Sequence, residues 1–179
     1  VETIRKRFPA HFFALTRGVG IADTTLAETP AAPLAAAPDL DRALSWLLTK
    51  QGLDGRFQDS VHTPIRETST ALDAFLAAGV TGDPRDRAIA FLKGAATPSV
   101  DAFSRRALAL SQLMTEPERQ SIAAEIMSMQ NADGGFGPAP GFASDVLDTA
   151  LALRAMKSLG AGADPNIRRA IVALAALRS

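Results

Sequence analysis

Two carboxylates three residues apart, Asp145 and Asp148, are the pair in this chain best placed to do chemistry. They lie in Asp145-Val146-Leu147-Asp148-Thr149-Ala150, at the head of an apolar segment. Positions i and i+3 share a helix face, and the N-terminal end of a helix favours negative charge. Such a pair can serve as a proton-donating acid or an ion site, or be only an N-cap followed by a first-turn acid. Other chemistries lack their residues. Cysteine is absent, which removes thiol catalysis, thiolate metal sites and disulfides. A catalytic zinc needs three protein ligands, and His11 and His62 are the only histidines. His62, near Asp59, reads as a solvated loop residue. No serine and histidine show nucleophile-elbow or triad spacing. Gly134-Gly135-Phe136-Gly137 lacks the Lys-Ser/Thr of a phosphate loop, and Asn131-x-Asp133-Gly134 lacks the remaining ligands of a calcium loop. No metal and no cofactor is expected.

The elements that must position the pair announce themselves by repetition. Gln51-Gly52-Leu53-Asp54-Gly55-Arg56-Phe57 is answered 79 residues later by Gln130-Asn131-Ala132-Asp133-Gly134-Gly135-Phe136. At the same offset Thr70-Ala71-Leu72 answers Thr149-Ala150-Leu151, so the register reads as continuing without a gap into the next helix. On that register Arg66 and Ser69 stand opposite Asp145 and Asp148. A repeat of this length marks a stacked array of helical pairs. Helices are expected over 40–51, 66–79, 84–94, 100–112, 116–130, 144–159 and 165–178. Asp83-Pro84 and Asp164-Pro165 read as cap-then-proline starts, and Gly79, Gly94 and Gly160 as stops. No segment alternates with period two, so no substantial strand is expected. Helix 40–51 carries Asp41, Arg42 and Lys50 on one side, as an outer helix would. Helix 144–159 is apolar almost all round, which suits an inner layer.

Three segments follow. Residues 1–22 can form a short helix interrupted by Pro9. Residues 23–38, with prolines at 30, 33 and 38, read as a linker. Residues 39–179 form the repeat domain. Hydrophobic residues make up 47% and charged residues 21%, enough for a sizeable core. The 19 basic and 19 acidic residues cancel, leaving no field to attract nucleic acid. Arg105-Arg106 and Arg168-Arg169 read as solvated helix faces. No apolar run approaches the ~18 residues of a transmembrane helix. The cytoplasm is the default compartment, with a periplasmic or secreted location also open.

The residues carry a family resemblance. Arg42-Ala43-Leu44-Ser45-Trp46-Leu47-Leu48-Thr49-Lys50-Gln51, followed by Gly55-Arg56-Phe57, resembles the QW repeat of squalene and terpene cyclases. Protein prenyltransferase subunits carry related repeats, and all share an α/α toroid. The second repeat keeps Arg87-Ala88 and Phe91-Leu92 but has Ala96 in place of Gln. The third keeps Gln130, Gly134 and Phe136, with Glu125 replacing the aromatic. The fourth keeps Arg169-Ala170 and Leu174, with Ala173 for the aromatic and Arg178 for Gln. The likeness spans residues 40 to 178 and speaks to fold more than activity. Trp46, Gln51, Asp54, Gly55, Phe57, Gln130, Asp133, Gly134, Gly135 and Phe136 then read as structural: the glutamine amide bonds orphan backbone groups, the glycines permit the turn, and the phenylalanine folds back onto the next repeat.

Asp145 to Ala150 also resembles the Asp-x-Asp-Asp-Thr-Ala run of class II terpene cyclases, whose middle aspartate is the acid. The matching residue here is Leu147, which cannot donate a proton. The prenyltransferase zinc set of Asp, Cys and His is not available either, nor the Cys-Gly-Glu-Gln run of thioester proteins built on a similar toroid. The expected fold is all-α: an α/α-toroid-like array forming an incomplete ring of about seven helices. The expected function is a non-catalytic repeat module that binds a partner protein or an apolar, isoprenoid-like ligand. A partner protein or a homodimer would complete the ring. The alternative is an isoprenoid cyclase or prenyltransferase-like enzyme, or part of one. It would use Asp145 and Asp148 in a pocket between helices 66–79, 100–112 and 144–159, where Phe75 and Phe103 are the candidate ligand contacts.

Overall fold

The computed structural model describes residues 39–59 and 63–177. The chain divides between Pro38 and Asp39, and every described residue belongs to the second unit. The expected segments 1–22 and 23–38, together with His11, His62 and Arg178, lie outside the described residues.

The fold is all-α. Among the described residues the helices are α1 (Leu40–Leu48), α2 (Pro64–Ala77), α3 (Asp83–Gly94), α4 (Val100–Leu110), α5 (Glu116–Ser128), α6 (Val146–Ser158) and α7 (Pro165–Ala176), with a 3-10 turn, Ser111–Leu113, after α4. Local chemistry sets most boundaries. Asp39, Ser99, Asp145 and Asp164 each cap a helix by accepting from a backbone N–H in its first turn. Thr115 and Glu118 form a reciprocal capping box at the head of α5. Gly79 and Gly160 end α2 and α6 with left-handed φ values of 70° and 84°. Two expectations change. Gly82 occupies the cap position of α3, so Asp83 is already helical. Gly94 is the last helical residue of α3 and is not among the positive-φ glycines that stop the other helices.

Helices α2, α4 and α6 lie side by side as one layer, with α2 against α4 and α4 against α6. On that layer α3 packs against α2 and α4, α5 against α4 and α6, and α7 against α6. The core fills the space between the layers. Its larger part gathers Phe103, Ile126, Phe136 and Met156, and a second part gathers Leu72, Leu92 and Leu110. A small third cluster joins Phe57, Ala71 and Phe75, whose two rings meet edge to face at 5.7 Å. Helix α1 has no buried residue.

The contacts correct the repeat register. Phe57 N–H donates to Thr68 Oγ1 at 2.9 Å, and Phe136 N–H donates to Thr149 Oγ1 at 3.0 Å. Thr68, not Thr70, is therefore the counterpart of Thr149, and the stretch from Phe136 to its threonine is two residues longer than the one from Phe57. The shifted register continues along the helix. Val80 N–H bonds Phe75 O, and Ala161 N–H bonds Met156 O. Phe75 and Met156 thus fill the same fully buried position in successive copies.

Candidate functional site

The glutamine turns are built twice from the same parts. Gln51 Nε2 donates to Gly55 O at 3.0 Å and to Pro84 O at 2.8 Å. Gln130 Nε2 donates to Gly134 O at 2.8 Å and to Asn166 O at 2.9 Å. One amide thereby closes its own turn and ties it to a carbonyl in the first turn of a later helix. Gly55 and Gly134 have φ of 87° and 89°. A Cβ on Gly55 would stand 2.2 Å from Arg87 O, and one on Gly134 would stand 2.8 Å from Arg169 O. Glycine is required twice over, by dihedral and by space. Asp54 accepts from Arg56 N–H. Asp133 accepts from Gly135 N–H and from Ser144 Oγ, which hold its carboxyl below the usual carboxylate range. A Cβ on Gly135 would collide with Ser144 at 2.6 Å. Phe57 and Phe136 are buried. Trp46 departs from this pattern, being 61% exposed with Lys50 Nζ 5.2 Å from its ring centre.

The carboxylate pair sits at the start of α6. Asp145 is the N-cap, its Oδ1 accepting from Asp148 N–H at 2.8 Å. Asp148 is only 4% exposed, and its Oδ1 is buried without a hydrogen-bond partner. Burial is the main cause that pushes the Asp148 carboxyl up to about 6. The Asp145 carboxylate, which a protonated Asp148 can hydrogen-bond, and the charge of Asp101 add to the rise, while Arg105 opposes it. Leu147, at the position the resemblance assigns to the acid, is 58% exposed.

The corrected register also changes the comparison between copies. Glu67, not Ser69, is the counterpart of Asp148. Its carboxylate accepts from Asp59 N–H at 2.7 Å and from Thr63 Oγ1. An acid at this position occurs in both copies, satisfied in the first and left with a bare oxygen in the second.

Sequence reasoning missed Asp101 and read Arg105 only as part of a solvated face, whereas both act electrostatically on the Asp148 carboxyl from α4. Arg105 Nε lies 2.9 Å from both Asp101 oxygens. The i, i+4 spacing of Asp101 and Arg105 was the available signal. Nor is Arg106 the solvated residue expected, for it donates to Ala95 O at 3.0 Å and covers the Phe103 ring at 4.8 Å. Phe75 and Phe103 are core residues, at most 1% exposed, and do not line a surface that a ligand could reach. Among the described residues there is no cluster of three or more His, Cys, Asp or Glu side chains that could hold a metal ion, and no helix long and apolar enough to cross a membrane.

The space expected between the three inner helices exists as an open groove of about 270 Å³, and it is polar. Its walls are Ser69, Thr70 and Asp73 of α2, Arg105 and Leu108 of α4 with Ser111 and Gln112 just beyond it, and Leu151, Arg154 and Ser158 of α6. Helix α6 is therefore not apolar all round, since Arg154 and Ser158 occupy an exposed stripe. A second groove, of about 360 Å³, runs beside α1 between Trp46, Leu47, Phe57, Ala71 and Ala74, with Lys50, Asp59, Arg66 and Glu67 around it. No family model, no curated protein and no solved structure matches this chain.

Proposed function

We propose that this chain is a non-catalytic helical repeat module that binds a partner protein through the α1 face. The observation that carries this reading is the exposed ring of Trp46 on α1. Trp46 is 61% exposed and shares with Leu47, Ala71 and Ala74 a groove whose charged residues include both signs. A central aromatic with apolar neighbours and a polar rim is the usual composition of a protein-binding hot spot. An isoprenoid chain would gain nothing from Lys50, Asp59, Arg66 and Glu67.

The enzyme reading draws on one feature, the Asp148 carboxyl with a pKa near 6, which is suited to proton donation. Against it stand the burial of that carboxyl and the polar character of the inner groove. Aromatic walls, which stabilise carbocations by cation–π contact, are not found around that groove.

Trp46 is the sole tryptophan, so its emission reports on the α1 face directly. Native mass spectrometry of the chain with a panel of linear isoprenoids, paired with Trp46 fluorescence, tests the reading. The expected result is no retained isoprenoid and no isoprenoid-induced blue shift. Emission that shifts with protein concentration would identify the partner as a second copy. A retained isoprenoid would replace the partner-protein reading with an apolar-ligand one, and turnover abolished by Asp148→Asn would make the chain an enzyme.

A further inference from the structure

The groove across α2, α4 and α6 has a charge arrangement that its own residues leave unused. Asp73 and Arg154 attract one another, but among the described residues no ion pair or hydrogen bond joins them. Arg105 spends only its Nε on Asp101, so its two terminal nitrogens remain available. Ser69 also lines the groove. It is 4% exposed, and its hydroxyl is buried without a partner. A buried hydroxyl that makes no hydrogen bond costs free energy in the empty protein, which a ligand able to bond it would recover.

We propose that this groove binds a small zwitterion of the amino-acid or dipeptide class. Its carboxylate would lie between Arg105 and Arg154, its ammonium group against Asp73, and a polar atom within reach of Ser69. A plain anion would be repelled by Asp73, and a plain cation by two guanidinium groups. A ligand carrying both charges meets a complement at each end. Guanidinium groups suit a carboxylate because their paired N–H groups match its two oxygens. Leu108 and Leu151 give a small apolar side chain a place to rest. The volume lies at the lower limit of ordinary small-molecule sites, which restricts the ligand to this size.

The test is a titration of the whole chain with alanylalanine at physiological salt, followed by amide chemical shifts and calorimetry. Saturable binding is expected, with shifts centred on residues 69–73, 105–112 and 151–158. N-acetyl-alanylalanine, which lacks the ammonium, and alanylalanine amide, which lacks the carboxylate, should each bind about tenfold more weakly or worse, the loss of one charge-assisted contact. Arg154→Gln and Asp73→Asn should weaken alanylalanine binding to a similar degree without lowering the melting temperature, since both residues are exposed. Ser69→Ala should raise the melting temperature of the free chain while weakening binding, a pair of opposite signs that a purely structural serine would not give. Equal binding of the N-acetylated dipeptide or of inorganic phosphate would make this an anion site and overturn the proposal. Absence of saturable binding, or binding unaffected by both charge variants, would overturn it as well. None of these outcomes bears on the α1 face.

Discussion

The turn at Gln51 and the turn at Gln130 share nearly every bond, yet they lead into different surroundings. In both, a glutamine amide holds two carbonyls, a left-handed glycine lies against a later helix, and a threonine hydroxyl clamps the phenylalanine backbone. The second turn sends Phe136 into the largest core cluster, whereas the first sends Phe57 into a small cluster beside the exposed α1. Below the turns the acids diverge: Glu67 is satisfied by two donors, and Asp148 is buried with one oxygen bare. Parts that recur with their bonds intact hold the repeat together. A part that recurs with its bonds missing marks where the two copies have diverged.

The largest expected effect lies in the rings. Phe136→Ala should destabilise the chain by about 3–5 kcal/mol in urea unfolding, as a truncation of a fully buried ring. Phe57→Ala should fall at or below the lower end of that range, about 3 kcal/mol, because its cluster is smaller and closer to solvent. Equal costs would mean that the two turns carry equal shares of the core and would break the comparison.

The glycines come next. Gly55→Ala and Gly134→Ala should each cost more than about 2 kcal/mol, from left-handed strain together with a backbone collision. Gly55→Ala should cost more, its collision being 0.6 Å closer (2.2 against 2.8 Å). A reversed order of melting temperatures would show that the first turn yields more readily than the second.

The threonine clamps should be equivalent. Thr68→Val and Thr149→Val each leave a buried phenylalanine N–H without its acceptor, at a cost of about 1–3 kcal/mol. Thermal unfolding of the pair would sharpen the corrected register. Thr70→Val provides the control, because that hydroxyl is exposed and donates only within its own helix. A Thr70→Val loss as large as that of Thr68→Val would overturn the register.

The smallest effects separate the acids. The folded chain holds the Asp148 proton more tightly than the unfolded chain, whose carboxyl titrates near 3.8. The favourable contribution is therefore fully present below that pH and is lost as pH rises through about 6. Asp148→Asn should match the natural chain in stability at acid pH and exceed it by about 1–2 kcal/mol at pH 7, with relief of the buried charge outweighing the lost helix-dipole interaction. Glu67→Gln should change stability by less than about 0.5 kcal/mol, because an amide oxygen can still accept one of the two bonds. A stability difference between Asp148→Asn and the natural chain that stays flat from pH 4 to 7 would show that burial does not raise the Asp148 carboxyl.

Much of this architecture was legible in residue order. Glutamine, glycine and phenylalanine at fixed spacing carry a turn because their requirements are local: an amide to reach nearby carbonyls, a left-handed φ, a ring to fold back. Aspartate before proline opened α7, and glycine after the last turn closed α2 and α6, for the same reason. Loop length escaped that reading. Two added residues between Phe136 and Thr149 leave the turn motif untouched but shift every later counterpart, so Glu67 was overlooked in favour of Ser69. The three-helix groove escaped it too. Ser69 and Asp73, Arg105 and Gln112, and Arg154 and Ser158 each recur at helical spacing, but only the packing of α2, α4 and α6 brings the three stripes onto one face. The sequence by itself therefore determined the helices, their caps and the twice-used turn, all of which depend on neighbours along the chain. Tertiary structure alone decided which acid lost its partners, which rings became core and which charges face one another across a groove, because burial and pairing depend on neighbours in space.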